Sequence, residues 1–211
     1  MRKREKSVKP LKKREDVARV AEHLRKSYRN GEMIRLLFLT GCNTGLRASD
    51  IRRLRYSDFK HDSFIIAESK TGKERKIYIN AALREAYENY FVQERETGGR
   101  AETRRLVVVN EDAPIFNGMH GGGGMCAQYM HFVIADACSK LGIRGRYGSH
   151  TMRKTFAYHA YRLTRDLKRV QSVLRHSDIG LTRKYVGLKG IDLGAKNCGL
   201  EDGEVYAVNL R

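Results

Sequence analysis

A histidine and a tyrosine, His176 and Tyr185, stand nine residues apart in the stretch LRHSDIGLTRKY of a basic chain. His150 and Arg153, in the stretch HTMR, have the spacing that puts both side chains on one face of a helix. A phosphodiester resists nucleophiles because its oxygens are anionic, and fixed cations lower that barrier. Arginine suits this role, since its planar fork donates two hydrogen bonds to a phosphate and stays charged. A nucleophile, a base and an acid would complete such a site without a metal.

Four motifs carry a resemblance to a known family. TGLRASDI, SKTGK, SHTMRKTFA and LRHSDIGLTRKY occur in the order, and with the internal spacing, of the tyrosine recombinases, also called the phage integrase family. The resemblance runs from about Leu36 to Val186, roughly the catalytic domain of that family. Each motif alone is weak, but four in one order are specific. The resemblance implies a mainly α-helical fold with a small antiparallel β-sheet, an α+β class.

The resemblance also implies an activity and its central residues. Arg47 and Arg153 match the two arginines that clamp the phosphate, and Tyr185 matches the nucleophile. The expected enzyme is a site-specific DNA recombinase or integrase of a phage or mobile element, which forms a 3′-phosphotyrosyl bond without metal, ATP or cofactor. A free tyrosine has a pKa of about 10, so the phenol needs cations and a base nearby to react at neutral pH.

Proton transfer and phosphate binding fall, by the same resemblance, to three further residues. Lys70 matches the hairpin lysine that protonates the leaving 5′ hydroxyl, and Lys73 is a rival that only the register K-T-G disfavours. His150 matches the residue that assists proton transfer at the nucleophile. His176 matches a hydrogen-bond donor to the scissile phosphate. Outside this pattern, Lys70 would be interpreted as an exposed lysine and His150 as a helix-cap histidine.

Other basic residues close to the motifs are predicted to contact DNA. The chain departs from the usual family pattern at Arg175, in place of a glycine, and at Lys154, in place of a histidine. Neither change removes a catalytic group. The predicted DNA contacts are Lys73, Arg75, Arg146, Arg175 and Lys184.

Charge and cysteine content limit the partners and the location. Lys and Arg number 42 against 24 Asp and Glu, a formal charge of +18, which favours a polyanionic partner such as double-stranded DNA. No apolar run reaches about 18 residues and the start lacks a signal peptide, so we expect a cytoplasmic protein that does not bind membranes. The four cysteines lack metal-site spacing and are predicted to be reduced and mostly buried. The resemblance to the family also implies a homotetramer on DNA.

Three regions are expected along the chain. Residues 1–30 form a basic arm, flexible up to about Leu11, and then an amphipathic helix. Residues 31–186 form the catalytic domain, and residues 187–211 form a tail that could contact a neighbouring protomer. Within the domain we predict a buried helix in GEMIRLLFLTGCNTG, a short helix in LRASDIRRLRYSDF, a hairpin of strands 64–67 and 76–79, and a helix from 81. A strand in LVVV, a glycine-rich loop in FNGMHGGGGM and three helices after Cys126 follow.

Two other functions remain open on the sequence. A type IB topoisomerase shares the arginines, lysine, histidine and tyrosine but rejoins the same strand. A DNA-binding protein without cleavage would explain the charge but not six catalytic residue types in family order. The short basic head allows a reduced clamp, a minimal recombinase or a fragment of a longer protein.

Overall fold

One helix forms the centre of the fold, in a computed structural model that describes residues 7–97, 111–116, 125–188 and 208–210. This helix, α2 (Gly31–Thr44), is buried on almost every side, as its dense apolar sequence predicted. A helix that is apolar all round needs neighbours on several faces. They are α1 (Arg14–Ser27), α4 (Ala81–Thr97) and α6 (Ser149–Thr164).

The amino-terminal residues are fastened to the core. The apolar face of α1, predicted from its spacing, is buried against α2. The sequence predicted a flexible arm up to about Leu11, but Leu11 is buried and its amide donates to Oγ1 of Thr155 at 2.9 Å. Nε2 of His159 donates to the Leu11 carbonyl at 3.0 Å. Residues 7–11 are therefore held against α6, while residues 1–6 lie outside the described part of the chain.

The predicted hairpin is present, with a shifted start to its second strand. Strands β1 (Ser63–Ala67) and β2 (Glu74–Tyr78) pair antiparallel, with Ile66 opposite Arg75. Gly72 takes a left-handed φ of 66° in the connecting turn, a conformation that glycine adopts without strain. The second strand begins two residues before the prediction because Glu74 pairs with Ala67.

The short helix predicted in LRASDIRRLRYSDF is split in two. Helix α3 covers only Ala48–Ile51, and a separate 3-10 turn covers Tyr56–Phe59. From Leu54 to Ser57 the backbone pairs with a distant segment: Ile115 N donates to Leu54 O at 3.0 Å, and Ser57 N donates to Glu111 O at 2.9 Å. This long-range pairing replaces the local hydrogen bonds of a continuous helix.

The second half of the domain is helical: the three helices predicted after Cys126 are present, and a fourth helix follows them. Helices α5 (Ala127–Lys140), α6, α7 (Leu167–Leu174) and α8 (Ile179–Val186) follow one another, and α6, α7 and α8 pack together. Asp166 and Asp178 cap the two short helices with their carboxylates. The predicted LVVV strand lies outside the described residues, as do 117–124 of the glycine-rich loop and 189–207 and 211 of the tail.

The last described residues return to the core. Asn43, buried on α2, donates to the Leu210 carbonyl at 2.9 Å and accepts from the Leu210 amide at 2.7 Å. Oδ1 of Asn209 accepts from the amide of Ala82 at the start of α4. A mainly helical fold with a two-stranded antiparallel sheet confirms the predicted class. No helix of the described segments has the length and apolarity to cross a bilayer.

Candidate active site

The first arginine of the candidate site, Arg47, stands just beyond the end of α2. The helix ends at Gly45, whose φ is 63°, and a Cβ at Gly45 would lie 2.4 Å from the ring of Phe156. Only glycine meets both the backbone angle and the close packing. Arg47 then precedes α3, and its Nη1 donates to Oε2 of Glu68 at 2.7 Å. The tight turn therefore directs Arg47 toward the end of β1.

The second arginine, Arg153, comes from α6 and is only 3% exposed. Its two terminal nitrogens donate to the carbonyls of Gly45 and Leu174, at the ends of α2 and α7. Burial, together with the charges of Arg47 and Arg75, lowers the pKa of Arg153 to about 10. Arg153 therefore joins three helices and remains a cation at neutral pH.

A third guanidinium, that of Arg75, shares the carboxylate of Glu68 with Arg47. The side chain is buried on β2, and Nη2 donates to the carbonyl of Thr44 at 2.6 Å. Nη1 lies 3.7 Å from Oε1 of Glu68. The sequence predicted Arg75 as a DNA contact; in the structure its side chain is buried and supports the end of α2 through the carbonyl of Thr44.

A carboxylate that the sequence did not single out, Glu68, links these arginines. It is 1% exposed, and its Oε2 also accepts from the hydroxyl of Thr71 in the hairpin turn at 3.2 Å. Burial raises the pKa of Glu68, but the hydrogen bond and charge of Arg47 and the charges of Arg75 and Arg153 outweigh it, so the pKa is lowered. The alternation of β1 was the available signal, since it turns Glu68 inward directly after Ala67.

A second buried carboxylate, Asp50, completes the charge balance of the cluster. Its Oδ1 accepts from the amide of Ser69 at 2.8 Å, and its Oδ2 lies 4.0 Å from Nη1 of Arg47. Counting the exposed Arg53, whose Nη1 lies 3.8 Å from Oδ1 of Asp50, four guanidinium groups of the described residues surround these two carboxylates. The residual positive charge in a poorly solvated position favours binding of an anion.

The histidine and tyrosine of the LRHSDIGLTRKY motif lie together beside Arg153. The ring centroids of His176 and Tyr185 are 4.6 Å apart, with an interplanar angle of 68°. Nδ1 of His176 lies 3.1 Å from Oγ1 of Thr182. Burial and the charges of Arg153 and Arg47 lower the pKa of His176 to about 4, so its imidazole is neutral at pH 7. Tyr185 is close enough to Arg153 for their charges to interact.

His150 stands at the exposed first turn of α6, one turn before Arg153. Burial of part of the ring and the charges of Arg153 and Lys154 lower the pKa of His150. The neutral form of the imidazole is therefore favoured at neutral pH. A neutral imidazole can accept a proton.

The lysines of the hairpin stay in solvent. Lys70 is exposed in the turn after β1, and no hydrogen bond or ion pair from the described residues reaches its ammonium group. Lys73 is also exposed. The structure therefore does not bring Lys70 into contact with the arginines, although Glu68 and Thr71 tie its turn to Arg47.

The remaining predicted DNA contacts lie around the cluster. Arg175 takes a left-handed φ of 50° at the end of α7, and its guanidinium donates to the carbonyl of Glu74 on β2. Lys184 is exposed on α8, and Arg146 is exposed before α6, where its carbonyl accepts from the amide of Lys9. Of the cysteines, Cys42 and Cys138 are buried and reduced, whereas Cys126 is reduced but exposed.

Comparison with known proteins identifies the family. The model of the phage integrase family matches residues 13–189. The chain belongs to this family. It is 29% identical over 182 residues to a probable integrase/recombinase, YoeC, of Bacillus subtilis (strain 168), a match that covers 86% of this chain and 90% of the relative. It is 30% identical over 160 residues to the tyrosine recombinase XerD of Halalkalibacterium halodurans, covering 75% of this chain and 49% of that protein.

Solved structures share the fold of this phage integrase family chain. The XerH site-specific recombinase bound to a palindromic difH substrate superposes with a TM-score of 0.66 at 22% identity, over 85% of this chain and 49% of XerH. The XerA recombinase superposes with a TM-score of 0.65 at 19% identity, over 90% of this chain and 63% of XerA. The chain thus spans about half the length of the XerD and XerH proteins that it matches. The predicted family and the predicted recombinase fold are confirmed.

Proposed function

We propose that this protein cleaves and rejoins double-stranded DNA as a site-specific tyrosine recombinase. The phenolic oxygen of Tyr185 attacks a backbone phosphorus, a P–O bond to tyrosine forms, and the bond to the 5′ oxygen breaks. The leaving oxygen takes a proton and departs as a 5′ hydroxyl. A 5′ hydroxyl of a partner duplex then reverses the step, so bond energy is retained and no ATP is consumed.

The observation that carries this proposal is the convergence of Arg47 and Arg153. Their guanidinium groups come from segments more than a hundred residues apart, and both meet around the turn at Gly45, within charge range of Tyr185. Two fixed guanidiniums stabilise the charge that accumulates on the phosphate oxygens in the transition state. Because these cations supply that stabilisation, the proposed step does not require a metal ion.

The two histidines take different parts in the proposed step. When the Thr182 hydroxyl donates to Nδ1 of His176, the proton of the neutral ring resides on Nε2, which can donate to a phosphate oxygen. His150, with its lowered pKa, is suited to accept the proton of the phenol. The base role of His150 requires a neutral imidazole, and the neutral imidazole of His176 still has the one N–H that its role needs.

Lys70 is proposed to protonate the leaving 5′ oxygen. In the free protein its ammonium is exposed in the hairpin turn, so this role requires the turn to meet DNA. Hydrogen bonds of Glu68 with Arg47 and Thr71 keep the base of that turn next to Arg47. This position supports contact of Lys70 with the phosphate that Arg47 binds. Lys73, Arg146, Arg175 and Lys184 are proposed to contact the duplex backbone, which would make affinity salt-dependent.

The assembly and the biological setting belong to the same proposal. A homotetramer on two DNA sites, with residues 31–186 as the catalytic domain, would allow strand exchange. Residues 187–211 could contact a neighbour, although Leu210 is paired with Asn43 of its own chain in the free protein. The similarity to an integrase/recombinase of B. subtilis supports an integrase of a phage or mobile element that acts in the cytoplasm.

A trapping experiment tests the proposal. A library of short duplexes with randomised sequence, each nicked to leave a fragment of a few nucleotides, is incubated with excess protein. After cleavage the short 5′-hydroxyl fragment diffuses away and leaves the protein on the labelled strand. We expect a covalent band on a denaturing gel with the wild type and none with Tyr185→Phe. Tight binding without any covalent band would instead establish a DNA-binding protein.

A second assay separates recombinase from topoisomerase. Sequencing the trapped strands gives the target, which is then placed on two linear duplexes and on a supercoiled plasmid. Exchange of ends between the duplexes is expected. Relaxation of the plasmid without exchange would favour a topoisomerase.

A further inference from the structure

Lys154, the residue after Arg153, is buried without a carboxylate partner. Its side chain is 7% exposed on α6, and no ion pair reaches it among the described residues. A buried ammonium needs electron-rich neighbours. Here Nζ donates to the carbonyl of Val8 at 2.8 Å and to the hydroxyl of Ser7 at 3.4 Å. This burial lowers the pKa of Lys154.

The third neighbour of this ammonium is the proposed nucleophile. Nζ of Lys154 lies over the ring of Tyr185, 5.2 Å from the centroid. A cation within about 6 Å of an aromatic face is attracted to it, and more strongly where water is excluded. The ring of His176 also contacts that of Tyr185, so Tyr185 has both an ammonium and an imidazole as neighbours.

The amino-terminal segment fixes the position of this lysine. Residues 7–13, here called the strap, run along α6 and are anchored at Leu11 by Thr155 and His159. The anchors lie on the same helix as Lys154, so the Val8 carbonyl is held in place with respect to it. The strap also lines a groove of about 920 Å³ whose charged lining is basic except for Asp16.

We infer that Lys154 is a positioning residue for Tyr185, held by the strap. This role rests on the proposed function of Tyr185 as the nucleophile. The family pattern does not supply a lysine here, since a histidine is usual at this position. The ammonium fixes the ring through its face and stabilises the negative charge that develops on the phenolic oxygen. Among the described residues, the charged or titratable groups near the Tyr185 ring are Arg153 and Lys154 from α6 and His176 from the segment before α8. Lys184 directly precedes Tyr185 in the sequence.

The test compares three changes at Lys154 with one matched control. Lys154→Met removes the charge and keeps the length of the side chain. Lys154→Gln removes the charge but retains an N–H donor for the carbonyl of Val8. Lys154→Arg keeps the charge. Lys12→Met is the control, because Lys12 also lines the groove and lies over a tyrosine, 5.4 Å from the centroid of the Tyr158 ring. Single-turnover cleavage of the nicked duplex, its dependence on pH and the Kd for DNA are measured for all, with thermal unfolding as a check of folding.

The expected result is a loss of rate without a matching loss of affinity. Lys154→Met and Lys154→Gln should cleave about tenfold more slowly, the rate equivalent of one partly desolvated cation–π contact. For both variants, the pH range over which the cleavage rate rises should move to higher pH. Their Kd for DNA should stay within about threefold of that of Lys12→Met. Lys154→Arg should restore most of the rate.

Other outcomes overturn the inference. If Lys154→Gln folds and cleaves like the wild type, or loses affinity but not rate, Lys154 does not position the nucleophile. If Lys154→Arg is as slow as Lys154→Met and no pH limb moves, only packing is at stake. Absence of adduct with the wild type would refute the proposed function itself, a result separate from these.

Discussion

Replacing Glu68 by glutamine removes the negative charge that joins the arginines while keeping the side-chain shape. The carboxylate is buried, 2.7 Å from Arg47 and 3.7 Å from Arg75. At an effective dielectric constant of about 20, these distances correspond to roughly 6 and 4.5 kcal/mol of attraction. The cost of desolvating the ions offsets most of this, and breaking a buried pair typically costs about 3–5 kcal/mol. Since glutamine still accepts a hydrogen bond, we expect the free energy of unfolding to fall by about 3 kcal/mol.

Urea and thermal denaturation at pH 7 measure this loss. For a chain of this size, about 3 kcal/mol corresponds to a decrease in Tm of roughly 6–12 °C. Glu88→Gln is the matched control, because Glu88 is exposed on α4 and its loss changes the net charge equally. We expect its Tm to change by less than about 2 °C. Equal stability of the two variants would refute the view that Glu68 holds the arginines together.

The lowered pKa of Glu68 predicts how the stability difference between wild type and Glu68→Gln depends on pH. A carboxyl whose pKa is lower in the folded state stabilises the protein fully above its unfolded pKa, about 4.3, and loses that contribution as pH falls through the folded value. The gap in unfolding free energy between wild type and Glu68→Gln should therefore narrow below about pH 4. Sulfate should also raise the Tm of Glu68→Gln more than that of Glu88→Gln, because the anion replaces the carboxylate. A gap constant from pH 7 to pH 3.5 would contradict this account.

Three further predictions concern other parts of the domain. Gly45→Ala should lose at least about 2 kcal/mol of stability, measured by urea denaturation, because its left-handed backbone and the nearby ring of Phe156 exclude a Cβ; a neutral result would contradict the packing. Asn43→Ala should cost about 2–3 kcal/mol and speed hydrogen exchange at the amide of Leu210, since both backbone groups of Leu210 lose their partner; unchanged exchange would show that another contact holds this end. In NMR titrations His176 should show no protonation between pH 8 and pH 5.5, since its pKa is about 4, and wild-type stability should decline as pH falls below about 6.5, where the unfolded chain takes up the proton; a midpoint near 6.5 would refute its burial.

The spacing of apolar residues along the sequence predicted those helices and strands that bury one regular face. The face of α1 formed by Val17, Val20, Ala21 and Leu24 is buried as its spacing indicated, and the hairpin formed where β-branched runs flank Gly72. The split of the expected helix after α3 was not predictable in this way. Its cause is pairing with residues 111–115, and no local preference encodes a partner so distant in sequence.

In the candidate site, motif spacing indicated residue types but not their partners. Arg47, Arg153, His176 and Tyr185 were predicted and do lie together, because the motifs fix their places at helix ends. The burial of Arg75 was missed, since a basic hairpin suggests a surface. The strap was missed for a similar reason: the hydrogen bond from Leu11 to Thr155 joins residues 144 positions apart.

The chemical identity of a trapped adduct tests the central claim most directly. The nicked-duplex complex is digested with nuclease and trypsin, and the peptide that carries a nucleotide is identified by mass spectrometry. The account predicts one modified peptide, YVGLK, which begins at Tyr185 and carries a phosphate joined to the 3′ position of the DNA strand. An adduct on any other of the 11 tyrosines, or a bond to the 5′ end, would contradict it.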